Sequence, residues 1–166
     1  MQVNAINNYQ QNNNPNFTAF VLKPGHNKEF VSYLEKSPVS DLVRILHAVT
    51  NQEKNGRNIE LMINDNLADV GSWILRLQAK INDKIYAGPS IVKPSTWNLA
   101  GFFEYLGKIA ERKSPNKVYG EELIKRRRIL NEDLEAYKLD IANGKPESDV
   151  KNELIGFIKE KLNIAA

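Results

Sequence analysis

The chain contains no cysteine, and this absence excludes several kinds of site. Disulfide bonds, a thiol nucleophile and thiolate metal sites all require cysteine, so none of them can form within the chain. A lack of cysteine is typical of proteins from a reducing cytosol, although a secreted bacterial protein can also do without it. We therefore expect a cytoplasmic location, with secretion that needs no cleaved signal peptide as the alternative.

Long apolar runs are also missing. The first residues contain no basic region followed by an apolar stretch, which a secretory signal peptide requires. The longest apolar run, at residues 19–22, is far shorter than the ~20 residues of a membrane-spanning helix. The sequence therefore predicts neither a signal peptide nor a contact with the membrane.

An excess of charge of one sign is lacking as well. The 23 basic and 20 acidic residues leave a formal net charge of +3 over 166 residues. Dedicated nucleic-acid binders usually carry a larger or more clustered basic excess. The hydrophobic share of 42% and the charged share of 26% are ordinary for a folded chain. We expect one globular domain over residues 17–166, with a sheet-rich part at 17–94 and a helical part at 95–166.

Residues 1–16 differ in composition from the rest of the chain. They hold seven asparagines and three glutamines, with few side chains able to anchor them to a core. Such a segment buries too little apolar surface to offset the conformational entropy that it would lose on folding. The sequence predicts a disordered Asn/Gln-rich tail, which is either passive or an uncleaved export segment.

Two segments of alternating apolar and polar residues, one short apolar run that favours β-structure and one return strand after a tight turn together predict about four β-strands. These strands cover residues 17–23, 58–64, 73–81 and 84–92. The last two are joined by a tight turn at Asn82-Asp83, and such short connections favour a mostly antiparallel sheet. Gly88-Pro89 falls inside the last strand. Because proline has no N–H to donate, this strand is predicted to lie at an edge of the sheet or to contain a bulge.

Apolar residues at helical spacing predict five helices. The helices cover residues 28–36, 40–54, 95–113, 118–143 and 146 to the C-terminal region. Ser40 is the expected N-cap of the second helix, and Asn55-Gly56 is its expected stop. Asn143-Gly144 is expected to end the long fourth helix. Together these elements predict an α+β fold in which helices pack on one face of the sheet, with long helices at the C-terminal end.

Residues that could support catalysis or metal binding do not form a recognisable pattern. The only histidines are His26, in a loop, and His47, which lies off the apolar stripe of its helix and is expected to face solvent. They are not at metal-ligand spacing, and the scattered glycines form no phosphate-binding loop. We therefore predict no catalytic residue, no metal site and no cofactor.

The adjacent carboxylates of the long helix are likewise expected to face solvent. They are the pairs Glu121-Glu122 and Glu132-Asp133. Consecutive side chains on a helix point about 100° apart, so neither pair converges on one point.

The most distinctive feature is a run of four basic residues, 125–128, in the long helix. The candidate contacts for an anionic partner are Lys125, Arg126, Arg128, Lys113 and Lys117. Helix geometry spreads these cations around the axis, and nearby carboxylates can pair with them, so a solvated face is the simpler interpretation. The predicted apolar stripe of this helix consists of Leu123, Arg127, Leu130, Leu134, Tyr137 and Ile141. The aliphatic stem of Arg127 is expected to cover the edge of the core.

Our favoured hypothesis is a non-catalytic protein-interaction or accessory module of a bacterial-type cell. The long helix or the sheet edge near Gly88-Pro89 would contact the partner. The alternatives are a nucleic-acid-associated protein that uses the basic run, a secreted bacterial protein exported through its tail, and a small enzyme whose site combines distant residues. The oligomeric state stays open, because a long helix can pack on its own sheet or on a second copy.

Overall fold

A mixed sheet of four strands organises the fold. The computed structural model describes residues 19–23, 25–53, 59–64, 76–90, 98–112 and 118–164. Within these ranges the strand order is β1-β2-β3-β4. The strands are β1 (Phe20–Leu22), β2 (Ile59–Asn64), β3 (Arg76–Ile81) and β4 (Lys84–Ser90). Two of the three pairings are antiparallel, which confirms the prediction of a mostly antiparallel sheet.

Five helices accompany the sheet in the described ranges. They are α1 (Asn27–Lys36), α2 (Val39–Asn51), α3 (Leu99–Arg112), α4 (Gly120–Ala142) and α5 (Glu147–Lys161). This order confirms the α+β class and the long C-terminal helices. The Asn/Gln-rich tail lies outside the described residues, so its predicted disorder and the domain boundary at residue 17 stay predictions. No helix in these ranges combines the length and hydropathy needed to cross a bilayer.

The one parallel pairing, between β1 and β2, follows from the order of the elements. Both α1 and α2 lie between these two strands in the sequence. A connection of that length carries the chain back to the end where it started, so the second strand runs in the same direction as the first. β2, β3 and β4 are instead paired in antiparallel fashion, with a two-residue turn at Asn82-Asp83 between the last two. Asn82 adopts a positive φ of 49° there.

β4 satisfies both predictions made from Gly88-Pro89. It lies at an edge of the sheet, and its register with β3 shifts near these residues. A Cβ at Gly88 would lie only 2.5 Å from the Phe102 ring and 2.8 Å from the Leu77 carbonyl oxygen. Glycine is therefore needed at this position, because α3 packs closely against the strand.

The core lies on one face of the sheet. Ile59, Leu61 and Leu77 are fully buried on this face, and the Phe20 ring stacks on Phe103 of α3 with 4.9 Å between centroids. On the opposite face, Val21, Lys80 and Ile85 form part of one row and are exposed. The helices thus pack on one face, as predicted. α2 is the central helix, since α3, α4 and α5 all contact it.

Two of the helix ends depart from the sequence prediction. Ser40 is not the N-cap of α2, because Pro38 precedes the first helical residue and its carbonyl already accepts the N–H of Leu42 at 3.1 Å. The helix also ends at Asn51, before Asn55-Gly56, which lies outside the described residues.

Two other helix ends are formed by residues with a clear physical role. The side chain of Asn98 accepts the N–H of Gly101 at 2.6 Å and caps α3. The end of α4 is at Asn143-Gly144 as predicted, where Gly144 has a φ of 103°. The N–H of Lys145 returns to the Asp140 carbonyl at 3.0 Å, the bond expected of a Schellman motif.

Candidate functional site

A cleft of about 280 Å³ opens between α2, α3 and α4. Each helix lines it with residues three or four positions apart, which share one helix face. The lining includes Arg44 and His47 of α2, Glu104, Lys108 and Glu111 of α3, and Leu123, Arg126, Arg127 and Leu130 of α4. The cleft therefore combines three segments that are distant in sequence.

Gly107 of α3 allows α2 and α3 to approach closely at the cleft. A Cβ added at Gly107 would lie 3.1 Å from the side-chain nitrogen of Gln52, which follows the last turn of α2. Any larger residue at position 107 would press against Gln52, which is buried. The small residue thus fixes how near the two helices lie where they form one wall of the cleft.

Arg44 of α2 and Glu104 of α3 form a fork-shaped ion pair at the cleft. Nε and Nη2 of Arg44 donate to the two carboxylate oxygens of Glu104 at 3.1 and 2.5 Å. Paired hydrogen bonds of this kind fix the relative orientation of both side chains. The hydrogen bond to Glu104 also raises the pKa of Arg44 above its ordinary value. Asp41, one turn before, lies 3.7 Å from the same guanidinium, and burial raises the pKa of its carboxyl.

Arg126 joins α4 to α3. Its Nη1 donates to Glu111 at 2.6 Å, and its Nε lies 3.6 Å from Glu122, beyond hydrogen-bond distance. That buried Nε makes no hydrogen bond within the described residues. Arg126, one of the predicted contacts for an anionic partner, is therefore already committed to an ion pair between helices.

His47 and Asp133 correct two sequence predictions. Both were expected to face solvent, yet each is only 6% exposed, and Nε2 of His47 lies 2.6 Å from a carboxylate oxygen of Asp133. The prediction for His47 was wrong because helices surround α2 on several sides, so residues outside its apolar stripe are also buried. The other histidine, His26, is half-buried and accepts the N–H of Ile63 on Nδ1 at 2.8 Å.

The buried face of α4 matches the predicted stripe only in part. Arg127 was expected on the apolar stripe but is exposed, and Leu123 is 49% exposed. Tyr137 of the stripe is buried as predicted, and Leu130, Leu134 and Ile141 pack against the core while partly buried. Asp133 and Asp140 are buried as well, so the buried side of the helix is turned toward these two carboxylates and away from Leu123 and Arg127.

The structure divides the predicted basic contacts between two sides of α4. Arg126 lines the cleft together with Arg127, whereas Lys125 and Arg128 are exposed and do not line it. Lys113 and Lys117 lie outside the described residues. Sequence analysis missed Lys108, whose only signal is its spacing of four and three residues from Glu104 and Glu111. That spacing indicates a place in the cleft only once the structure shows that α3 borders it.

The charges of the cleft favour an anion. The lining holds four cations, Arg44, Lys108, Arg126 and Arg127, and two carboxylates. The described residues contain no cluster of three side chains suited to a metal ion.

No protein family, curated protein or solved structure matches this chain.

Proposed function

We propose that this protein is a non-catalytic protein-binding module, and that its cleft between α2, α3 and α4 receives an acidic segment of a partner protein. The observation that carries the proposal is the charge of the lining, in which four cations face two carboxylates. Complementary charge favours the encounter with an acidic partner and disfavours basic ones.

Lys108 and Arg127 are the cations available to such a partner. Arg44 and Arg126 are neutralised by Glu104 and Glu111, whereas neither Lys108 nor Arg127 has an ion-pair partner among the described residues. Both side chains are exposed at the cleft. A carboxylate placed between them would gain two charge-assisted contacts without breaking an existing pair.

Leucines supply the apolar part of the site. Leu123 is 49% exposed and Leu130 is half-buried on the same side of α4. An aliphatic side chain next to the acidic one would cover Leu123 and remove its apolar surface from water. The volume of about 280 Å³ lies near the lower end of ligand pockets, which suits a few side chains of a peptide rather than a whole domain.

Two features favour binding of another protein over catalysis and over occupation of the cleft by the chain's own tail. Glu104 and Glu111 already accept hydrogen bonds from arginines, so neither is held ready to take a proton from a substrate. Residues 1–16 contain no Asp or Glu, so the chain's own tail lacks the charge that the cleft favours.

The test is selection from a random peptide library on the full chain, followed by fluorescence anisotropy with the selected peptides. We expect the selected peptides to be enriched in Asp or Glu beside an aliphatic residue. The variant Lys108→Glu/Arg127→Glu should weaken their binding by about tenfold or more, since two favourable charges become unfavourable.

The matched control is Lys125→Glu, which makes the same kind of charge change on α4 outside the cleft. It should change the affinity less than about twofold. Selection of neutral or basic peptides, or an equal loss from Lys125→Glu, would contradict the proposal. Labelled single-stranded DNA that binds more tightly than any selected peptide, and is released by Lys125→Glu, would favour nucleic-acid association instead.

A further inference from the structure

The face of α4 that points away from the cleft carries a stripe of exposed residues along its length. From one end to the other these are Ile124, Arg128, Asn131, Glu132, Glu135 and Leu139. They recur at spacings of one to four residues and so lie along one side of the helix. At 1.5 Å per residue the stripe is about 22 Å long.

The two ends of the stripe are apolar and uncovered by the described residues. Ile124 is 69% exposed and Leu139 is 50% exposed. They are two of the seven large hydrophobic side chains that are exposed in the described ranges, and both lie on this one helix face. Paired apolar ends of this kind suit a partner that presents an equally long helix.

The charges between these ends are arranged with opposite signs. Arg128 lies toward the N-terminal end of the stripe, and Glu132 and Glu135 lie toward its C-terminal end. Within the chain Arg128 is 4.0 Å from Glu132, and both side chains are about two-thirds exposed, so this pair contributes little. Most of the attraction that these charges can provide is left for a partner.

We infer that the stripe pairs with the same stripe of a second copy of this chain, in an antiparallel arrangement with twofold symmetry. The centre of the stripe lies between Asn131 and Glu132. Reversal of a second helix about that point brings Ile124 opposite Leu139 of the other copy, and Arg128 opposite Glu135. Each contact occurs twice, because a twofold axis repeats it.

The arrangement is self-complementary in charge as well as in apolar contact. Each Arg128 would lie opposite Glu135 of the other copy and about one turn from its Glu132, in the way that flanking charges set the orientation of paired helices. A parallel arrangement would instead oppose Arg128 to Arg128 and Glu135 to Glu135. The charge pattern therefore selects the antiparallel dimer. This surface faces away from the cleft, so the inference does not depend on the proposed function.

The stripe is short, and its pairing should be weak. Interfaces of small area generally give reversible association, so we expect a dissociation constant of about 10–100 μM. Sedimentation velocity of the full chain from about 1 μM to about 200 μM should show a monomer that converts to a dimer.

Charge reversal provides the decisive test. Arg128→Glu places a carboxylate against Glu132 and Glu135 of the other copy, and Glu135→Arg opposes two arginines, so each variant alone should dimerise at least tenfold more weakly. An equimolar mixture of the two variants should regain the dimer, because each copy then supplies the charge that the other lacks. Ile124→Ser should also weaken the association, through lost apolar contact.

The control is Arg112→Glu, the same charge change at an exposed residue of α3. It should leave the dissociation constant within about twofold of that of the unmodified chain. Circular dichroism should show all these surface variants to be folded. A chain that stays monomeric up to about 200 μM, or a mixture that fails to regain the dimer, would overturn the inference.

Discussion

α2 meets two kinds of neighbour. Leu42 and Ile45 belong to the apolar core, which also holds Phe103, and all three side chains are fully buried. Toward α4 the same helix presents His47, which hydrogen-bonds the buried Asp133. We call the first region the apolar core and the second, formed by His47 and Asp133, the polar seam.

The two regions hold their helices in different ways. Burial of apolar surface is not directional, so a core tolerates exchanges among side chains of similar size. A buried polar side chain is stabilised only while its partner is in place, and removal of that partner costs more than the contact itself contributed. The polar seam therefore determines how α4 is turned, and with it which arginines reach the cleft.

The largest expected effect comes from breaking the apolar core. Phe103 is fully buried, and its ring lies 4.9 Å from that of Phe20 and 6.1 Å from that of Phe30, measured between centroids. Phe103→Ala should lower the free energy of unfolding by about 3–5 kcal/mol, measured by urea denaturation. Phe103→Leu, which keeps most of the volume, should cost about 1–2 kcal/mol. Equal losses from the two variants would argue against tight packing at this position.

Breaking the polar seam should have a smaller and more local effect. Asp133→Ala leaves His47 buried without its carboxylate and should lower the free energy of unfolding by about 2–3 kcal/mol. Hydrogen exchange should accelerate most in α4, while the amides of α2 stay protected.

The double variant sharpens this comparison. His47→Leu/Asp133→Leu removes both polar groups, so its stability should lie within about 1 kcal/mol of that of the unmodified chain. A double variant as unstable as Asp133→Ala would show that the seam depends on shape rather than on polar pairing.

Gly88→Ala tests the apolar core at the close contact between β4 and α3. The added methyl group would lie 2.5 Å from the Phe102 ring and 2.8 Å from a backbone oxygen of β3, so α3 and the strand would have to separate. We expect a loss of about 2 kcal/mol in thermal or urea unfolding. Gly120→Ala is the matched control, because no atom lies within 4 Å of the added group, and it should be neutral or slightly stabilising.

Tyr137→Phe should have the smallest effect near neutral pH. The Tyr137 hydroxyl is buried and has no hydrogen-bond partner in the described part of the chain, so its removal should change stability by less than about 1 kcal/mol. Burial, together with the carboxylates of Glu153 and Asp133, raises the pKa of this hydroxyl.

The effect of Tyr137 should appear only at alkaline pH. The folded chain keeps the hydroxyl proton at pH values at which the unfolded chain releases it. The stabilisation that arises from this raised pKa of Tyr137 is therefore fully present below the tyrosine pKa of the unfolded chain, about 10, and is lost as the pH rises further. Urea denaturation at about pH 9 and about pH 11 should show a smaller alkaline loss for Tyr137→Phe than for the unmodified chain. Equal alkaline losses of stability in the two proteins would contradict the inference that burial raises the pKa of the Tyr137 hydroxyl.

Much of the apolar core could be predicted from local periodicity. Ile59, Leu61 and Ile63 share one face of β2 and are all buried, and the stripe of α3 through Phe102 and Phe103 is buried as expected. In these elements one face meets the core and the other meets solvent, so hydrophobicity alone indicates the buried side.

The polar seam and the cleft could not be predicted in this way. Periodicity places Leu123 and Arg127 on the apolar stripe of α4 and Asp133 in solvent, whereas the structure turns Asp133 inward and leaves Leu123 and Arg127 exposed. The deciding interactions join residues that are 86 positions apart in the pair His47–Asp133 and 60 apart in Arg44–Glu104. No local pattern in the sequence includes both members of either pair.

The sequence by itself determined where strands and helices form, the edge position of β4 and the face of the sheet that is buried, because these depend on spacing within one segment. Only the tertiary structure decided which face of α4 is buried, since that depends on where α2 and α3 place His47 and Glu111. A buried charge is stable only beside its partner, and the partner's position is a property of the assembled helices rather than of any one of them.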